Sequence, residues 1–168
     1  APGFWERIKS EERAEKEAAR EAAGERASRS GDGLLEEVPV NLPALARAVK
    51  LQGKAARVGF DWPSLAPVFD KMREELGELD AAVGAGDQDR IEDEFGDLLF
   101  VMANVARHLK IDPEASLRRT NEKFVRRFGR IEAMLRERGK GPAQSSLEEM
   151  DQLWDAAKQE EREPDKAS

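Results

Sequence analysis

Between Pro43 and Glu160 apolar residues recur at three- and four-residue spacing in five stretches, the first four each closed by glycine or by an Asp-Pro pair. That period puts one apolar stripe on each of five helices and leaves almost no room for strands. The expected helices are Pro43 to about Arg57, Ser64 to about Val83, Gln88 to about Lys110, Pro113 to about Arg138, and Ser146 to Glu160, with Asn41 and Pro43 as a helix start. Gly59, Gly84 with Gly86, Asp112-Pro113, and Gly139 with Gly141 are the breaks. Connections this short favour antiparallel neighbours, so the expected fold class is all-α, an antiparallel four-helix-type bundle. Composition agrees, because 38% of the 168 residues are charged and only 6% aromatic.

The segment before Pro43 is different. Residues 6–29 alternate charge with alanine and hold too few large apolar side chains for a core stripe, so they read as a solvated helix or a linker. "SRSGDGLLEEVP" then reads as flexible. A formal net charge of −7 argues against general nucleic-acid binding, although a local basic strip could still hold phosphates. Without cysteine there is neither a disulfide framework nor a thiolate ligand. No apolar run approaches a membrane span and no signal-peptide pattern opens the chain, so a soluble cytoplasmic protein is expected.

The chemistry concentrates around one hinge. On the second helix Leu65, Val68, Phe69, Met72, Leu76, Leu79 and Val83 form the apolar arc, with Glu75 on its rim and Lys71 and Glu78 continuing that strip. On the third, Ile91, Phe95, Leu98, Leu99, Met102, Val105 and Leu109 form the arc, yet Glu94 projects inside its edge with Asp97 beside it. Arg90, Asn104 and His108 follow that rim. Taken one helix at a time, Lys71, Glu74, Glu75 and Glu78 are ordinary surface pairs. Taken together, E-x-x-E and E-x-x-D flank the Gly84/Gly86 turn and converge if the helices are antiparallel, which calls for a cation. All-oxygen ligation favours a hard ion, Mg2+ or Mn2+. A di-iron bundle would need Glu-x-x-His pairs, and the sole histidine, His108, has no such spacing.

The fourth helix supplies cations. Its apolar line runs Leu117, Phe124, Phe128, Ile131, Leu135, with Asn121 inside it and Lys123 and Arg127 on the rim, whereas Arg119, Arg126 and Arg130 face solvent. Basic side chains beside a carboxylate-metal cluster suggest a polyphosphate ligand. The last helix aligns Leu147, Met150, Leu153 and Trp154, where Trp154 is core or a base-stacking face. "WERIK" at Trp5–Lys9 and "WDAAK" at Trp154–Lys158 share W-x3-K, a pattern too short to mean much alone.

"VGFDWPSL", "REELGEL", "EDEFGDLLF", "NVARHLKID", "TNEKFVRRF" and "WDAAK", in that order from about Leu42 to Lys158, resemble MazG, the all-α nucleoside triphosphate pyrophosphohydrolases. The resemblance implies Mg2+ on Glu75, Glu78, Glu94 and Asp97, triphosphate contacts from Lys71, Arg90, Lys123 and Arg127, and a C-terminal role for Trp154, with Asn121 and Lys158 as further substrate-binding candidates. It implies a homodimer and hydrolysis of an NTP by metal-activated water to NMP and pyrophosphate, with Glu74 or one of the ligands as candidate base, and a house-cleaning role with broad base specificity. Residues 41–162 would be the catalytic domain, residues 1–40 a linker and the tail of a missing N-terminal copy, and residues 163–168 a disordered tail. Selective siblings (dUTPase, dCTPase or phosphoribosyl-ATP pyrophosphohydrolase) and a non-enzymatic helical adaptor are the alternatives.

Overall fold

A computed structural model describes residues 10–16, 18 and 33–163. The chain divides into two units, Ala1–Pro39 and Val40–Ser168. In the first, residues 10–16 are helical and exposed. Trp5, Lys9 and residues 164–168 lie outside the described residues.

The second unit is helical throughout, with α1 (Ala44–Arg57), α2 (Leu65–Ala85), α3 (Gln88–His108), α4 (Pro113–Glu137), a short 3-10 turn (Pro142–Gln144) and α5 (Leu147–Arg162). There is no strand among the described residues, and no helix there is long and apolar enough to cross a membrane. Local chemistry explains the boundaries. Gly86 ends α2 at φ 70, a left-handed conformation that glycine adopts without a Cβ penalty, and its N–H donates back to Ala82 and Val83. Asp87 immediately caps α3 by accepting from Arg90 N. Two residues thus reverse the chain, and α2 and α3 must lie antiparallel. Asp112 caps α4 with bonds from Glu114 N and Ala115 N, and Pro113 occupies the first turn, where its missing N–H costs nothing. Ser146 caps α5 through Glu149 N. At α1 the expected Asn41 cap is not used: the helix starts at Ala44 with Pro43 in the cap position, whose carbonyl accepts from Arg47 N at 2.9 Å.

Packing follows the hairpins. Helix α3 lies against both α2 and α1, α4 against α5, and α4 also touches α1. Ile131, Leu135 and Leu153 form the buried cluster of the α4–α5 hairpin, with Phe128, Met134, Met150 and Trp154 around it. Burial elsewhere falls mostly on small side chains, Ala48, Val68, Ala82, Val101, Ala103 and Ala106, which let the three helices approach closely.

The apolar arcs are wider than the surface that the described helices cover. Val68 is buried as expected, but Leu76, Val83, Phe95, Leu99, Met102, Leu109, Leu117 and Phe124 are exposed. The reason is geometric. Helices α4 and α5 spend their apolar faces chiefly on each other, so they leave part of the α2–α3 surface without a neighbour among the described residues.

Candidate metal and phosphate site

The antiparallel turn at Gly86–Asp87 brings the acids of α2 against those of α3. Glu75, Glu78 and Glu94 each offer a carboxylate oxygen, and those three oxygens lie within 4.8 Å of one another. Glu75 is only 6% exposed, deeper than the rim position its spacing predicts, and Glu94 is half-buried. Lys71 partly neutralises the group, with Nζ 3.1 Å from Glu75 Oε1 and 3.2 Å from Glu74 Oε1. The remaining oxygens, Glu75 Oε2 and Glu94 Oε2, are buried with no hydrogen-bond partner. A buried carboxylate oxygen without a donor is costly, and a hard oxygen-seeking divalent ion is the group that would satisfy it. The donor set therefore fits such an ion.

The electrostatics agree. Burial, a hydrogen bond with Glu78 and the charges of Glu78, Glu75 and Asp97 push the Glu94 carboxyl above its ordinary range. Asp97 is pushed up by desolvation and by Asp93 and Glu75, while Lys71 pulls it down. Asp97 thus feels the cluster's charge, but it is exposed and stands outside the three-carboxylate group. Glu74 and Arg90 are exposed as well.

The basic candidates on α4 and α5 gather separately. Arg127 places its guanidinium 5.3 Å from the centroid of Trp154, and Phe124 lies 5.7 Å from that ring on the same hairpin. Arg127 is 16% exposed against 61% for Arg126, so the two faces differ as the helical step predicts. Both nevertheless share one acceptor, Glu161, and Arg130 pairs with Glu160 at 2.7 Å. Lys123 and Lys158 are half-buried and Asn121 is exposed. No hydrogen bond or ion pair links this group to the acidic cluster among the described residues.

Three participants escape the sequence patterns. Glu160 and Glu161 hold the arginines across 30 to 35 residues of chain. Asp61 accepts from Arg107 and lies 3.0 Å from His108 Nε2, with Asn104 Oδ1 on the same arginine, so the end of the α3 rim fastens the α1–α2 loop. The hydrogen bond from Arg107, foremost, lowers the Asp61 pKa. Nothing in local spacing marks these pairs. The one usable signal for Glu161 was the stretch just beyond W-x3-K.

The described residues from Val40 onward thus form an all-helical bundle in which three carboxylates from two antiparallel helices converge. Residues 66–130 match the family model described as "MazG nucleotide pyrophosphohydrolase domain". The chain is 43% identical over 159 residues to the "Nucleoside triphosphate pyrophosphohydrolase" of Escherichia coli K12, covering 94% of this chain and 56% of the relative. It is 37% identical over 162 residues to the "Nucleoside triphosphate pyrophosphohydrolase/pyrophosphatase MazG" of Thermotoga maritima, covering 94% and 57%. A third relative, "Uncharacterized protein YabN" of Bacillus subtilis, is 44% identical over 134 residues, covering 79% and 27%. Residues 66–130 thus carry a MazG domain, and the chain spans little more than half the length of the first two relatives.

Proposed function

We propose that this chain is a nucleoside triphosphate pyrophosphohydrolase that uses Mg2+ to cleave an NTP to NMP and pyrophosphate, with residues 41–162 as the catalytic domain. One observation carries the reading: the buried, unpartnered oxygens of Glu75 and Glu94 beside Glu78. The family match of residues 66–130 and the names of two relatives, both nucleoside triphosphate pyrophosphohydrolases, support it.

Glu75, Glu78 and Glu94 would hold the ion, and Asp97, one turn beyond Glu94, would complete the set. A divalent ion supplies Lewis-acid stabilisation of the α-phosphoryl group and acidifies the attacking water. Lys71 pairs with Glu75 and offers a cation at the edge of the cluster. Arg90, Lys123 and Arg127 would neutralise the triphosphate, with Asn121 and Lys158 as further contacts and Trp154 as a face for any base. That division of labour favours phosphates over base identity, which suits a broad-specificity, house-cleaning enzyme. Glu74, exposed and paired with Lys71, is a candidate base.

A homodimer belongs to the same proposal. Apolar side chains on α2, α3 and α4 are exposed, among them Phe95 51%, Phe124 58% and Val125 71%, the kind of surface that association of two copies buries. A second copy would cover it. The test of the activity is Mg2+-dependent product release: pyrophosphate with NMP supports the reading, and orthophosphate, or no turnover with saturating Mg2+, overturns it.

A further inference from the structure

The α4–α5 hairpin holds one arginine from two sides. Arg127 Nε donates to Glu161 Oε2 at 3.1 Å and Nη2 to the same oxygen at 3.0 Å, with a longer bond from Nε to Oε1 at 3.3 Å. The face of the guanidinium rests over Trp154. Phe124 braces that ring and itself stacks on Phe128. The carboxylate thus takes the Nε/Nη2 edge and the indole takes one face. Nη1, at the far end of the fork, makes no hydrogen bond among the described residues.

The sequence carries the same arrangement. Trp154, Lys158 and Glu161 stand at i, i+4 and i+7 on α5, which places them on one face of the helix. The likeness between the two ends of the chain also runs past W-x3-K: Trp5, Lys9, Glu11, Glu12 and Arg13 recur at identical spacing as Trp154, Lys158, Glu160, Glu161 and Arg162. The paired glutamates travel with the tryptophan and lysine.

We infer that Glu161 is a positioning residue for nucleotide binding, fixing the Arg127 guanidinium against Trp154 so that its free edge is presented to a phosphate. The inference rests on the reading of Arg127 as a phosphate contact. An arginine has many rotamers, and holding one of them before the ligand arrives removes the ordering cost from the binding step. Among the described residues the partners of Glu161 are Arg126 and Arg127, and none belongs to the Glu75, Glu78 and Glu94 group. Its effect therefore belongs in binding and KM, and not in kcat.

The test measures Kd for a non-hydrolysable α,β-methylene ATP with Mg2+, and kcat and KM for ATP by pyrophosphate release, on the whole chain. Glu161→Ala should raise Kd and KM by about threefold to tenfold, the range for freeing one immobilised side chain, with kcat unchanged. Glu161→Gln, which keeps an acceptor for Nε and is the milder change for folding, should give a smaller loss. Glu160→Ala, whose partner is Arg130, should leave Kd unchanged. In an Arg127→Ala background Glu161→Ala should add nothing. A tighter Kd in Glu161→Ala would show a carboxylate that competes with phosphate, and an equal loss in the Arg127→Ala background or in Glu160→Ala would show a general charge effect; each overturns the inference. Weak binding by Arg127→Ala together with wild-type binding by Glu161→Ala overturns the clamp alone. Wild-type binding by Arg127→Ala removes the phosphate reading of Arg127 and the clamp with it.

Discussion

Lys71 Nζ lies 3.1 Å from Glu75 Oε1, while the second oxygen of that carboxylate, Oε2, is buried without any partner. One cation at the rim of the α2–α3 hairpin thus satisfies half of a buried acid. Glu75, Glu78 and Glu94 bring carboxylate oxygens within 4.8 Å of one another, which leaves the cluster short of positive charge.

The first prediction follows from that deficit. Glu78→Gln and Asp97→Asn should each abolish Mg2+-dependent NTP cleavage while circular dichroism stays that of the wild type. Glu94→Gln should raise the melting temperature of the metal-free protein, because it removes a repulsion with Glu78 and Glu75. Chelation should stop turnover of the wild type and leave the Glu94→Gln melting temperature unmoved. Near wild-type turnover in Glu78→Gln and Asp97→Asn together would remove the metal-site argument.

Assembly gives the second. With Phe95, Met102, Phe124 and Val125 exposed on α3 and α4, light scattering at micromolar concentration should give twice the chain mass. A monomer under those conditions contradicts the dimer.

The third separates two adjacent arginines. Arg127→Ala should weaken nucleotide binding by ~1.5 to 3 kcal/mol, the range for hydrogen bonds to charged groups. Arg126→Ala should do much less, because Arg126 is the more exposed of the two and it is Arg127 that rests over Trp154. Equal damage from both would show that the helical-face assignment is wrong. Calorimetric titration with the α,β-methylene nucleotide reads the difference directly.

A fourth concerns acid stability. Glu149 accepts from Lys140, Ser145 and Arg138 at the α4–α5 turn, and these bonds lower its pKa from 4.5 to about 2. A carboxyl depressed by folding contributes stability that is complete above 4.5 and disappears as the pH falls towards 2. Glu149→Gln should therefore lower the melting temperature at pH 7 and reduce its fall across that acid window. An unchanged acid limb in thermal melts would show that the contacts of Glu149 do not contribute.

Helix existence and limits were legible because their causes are local. Gly86, Asp87, Asp112 with Pro113, and Ser146 act on the turn they belong to, and the structure begins or ends a helix at or beside each of them. Part of the site was legible for the same reason. Glu75 and Glu78 share one side of α2, Glu94 projects from α3, and a two-residue turn leaves few ways to pair the helices other than antiparallel. Asp97 was less so: spacing alone set it level with Glu94, whereas in the structure it is exposed outside the three converging oxygens. Glu161 and Asp61 were not legible as partners, since Arg127 and His108 lie 34 and 47 positions away along the chain.

The sequence by itself determined where the backbone turns, which side chains share a helical face and which acids stand on either side of the hinge, because caps, glycines and the helical period act over a few residues. Only the tertiary structure decided that Glu75 is buried with one oxygen unsatisfied, that Arg127 rests between Trp154 and Glu161, and that the apolar arcs of α2 and α3 stay partly uncovered by the other described helices. Those outcomes depend on how much surface each helix finds on neighbours far away in the chain. Periodicity fixes the direction of a side chain, and packing decides what meets it there.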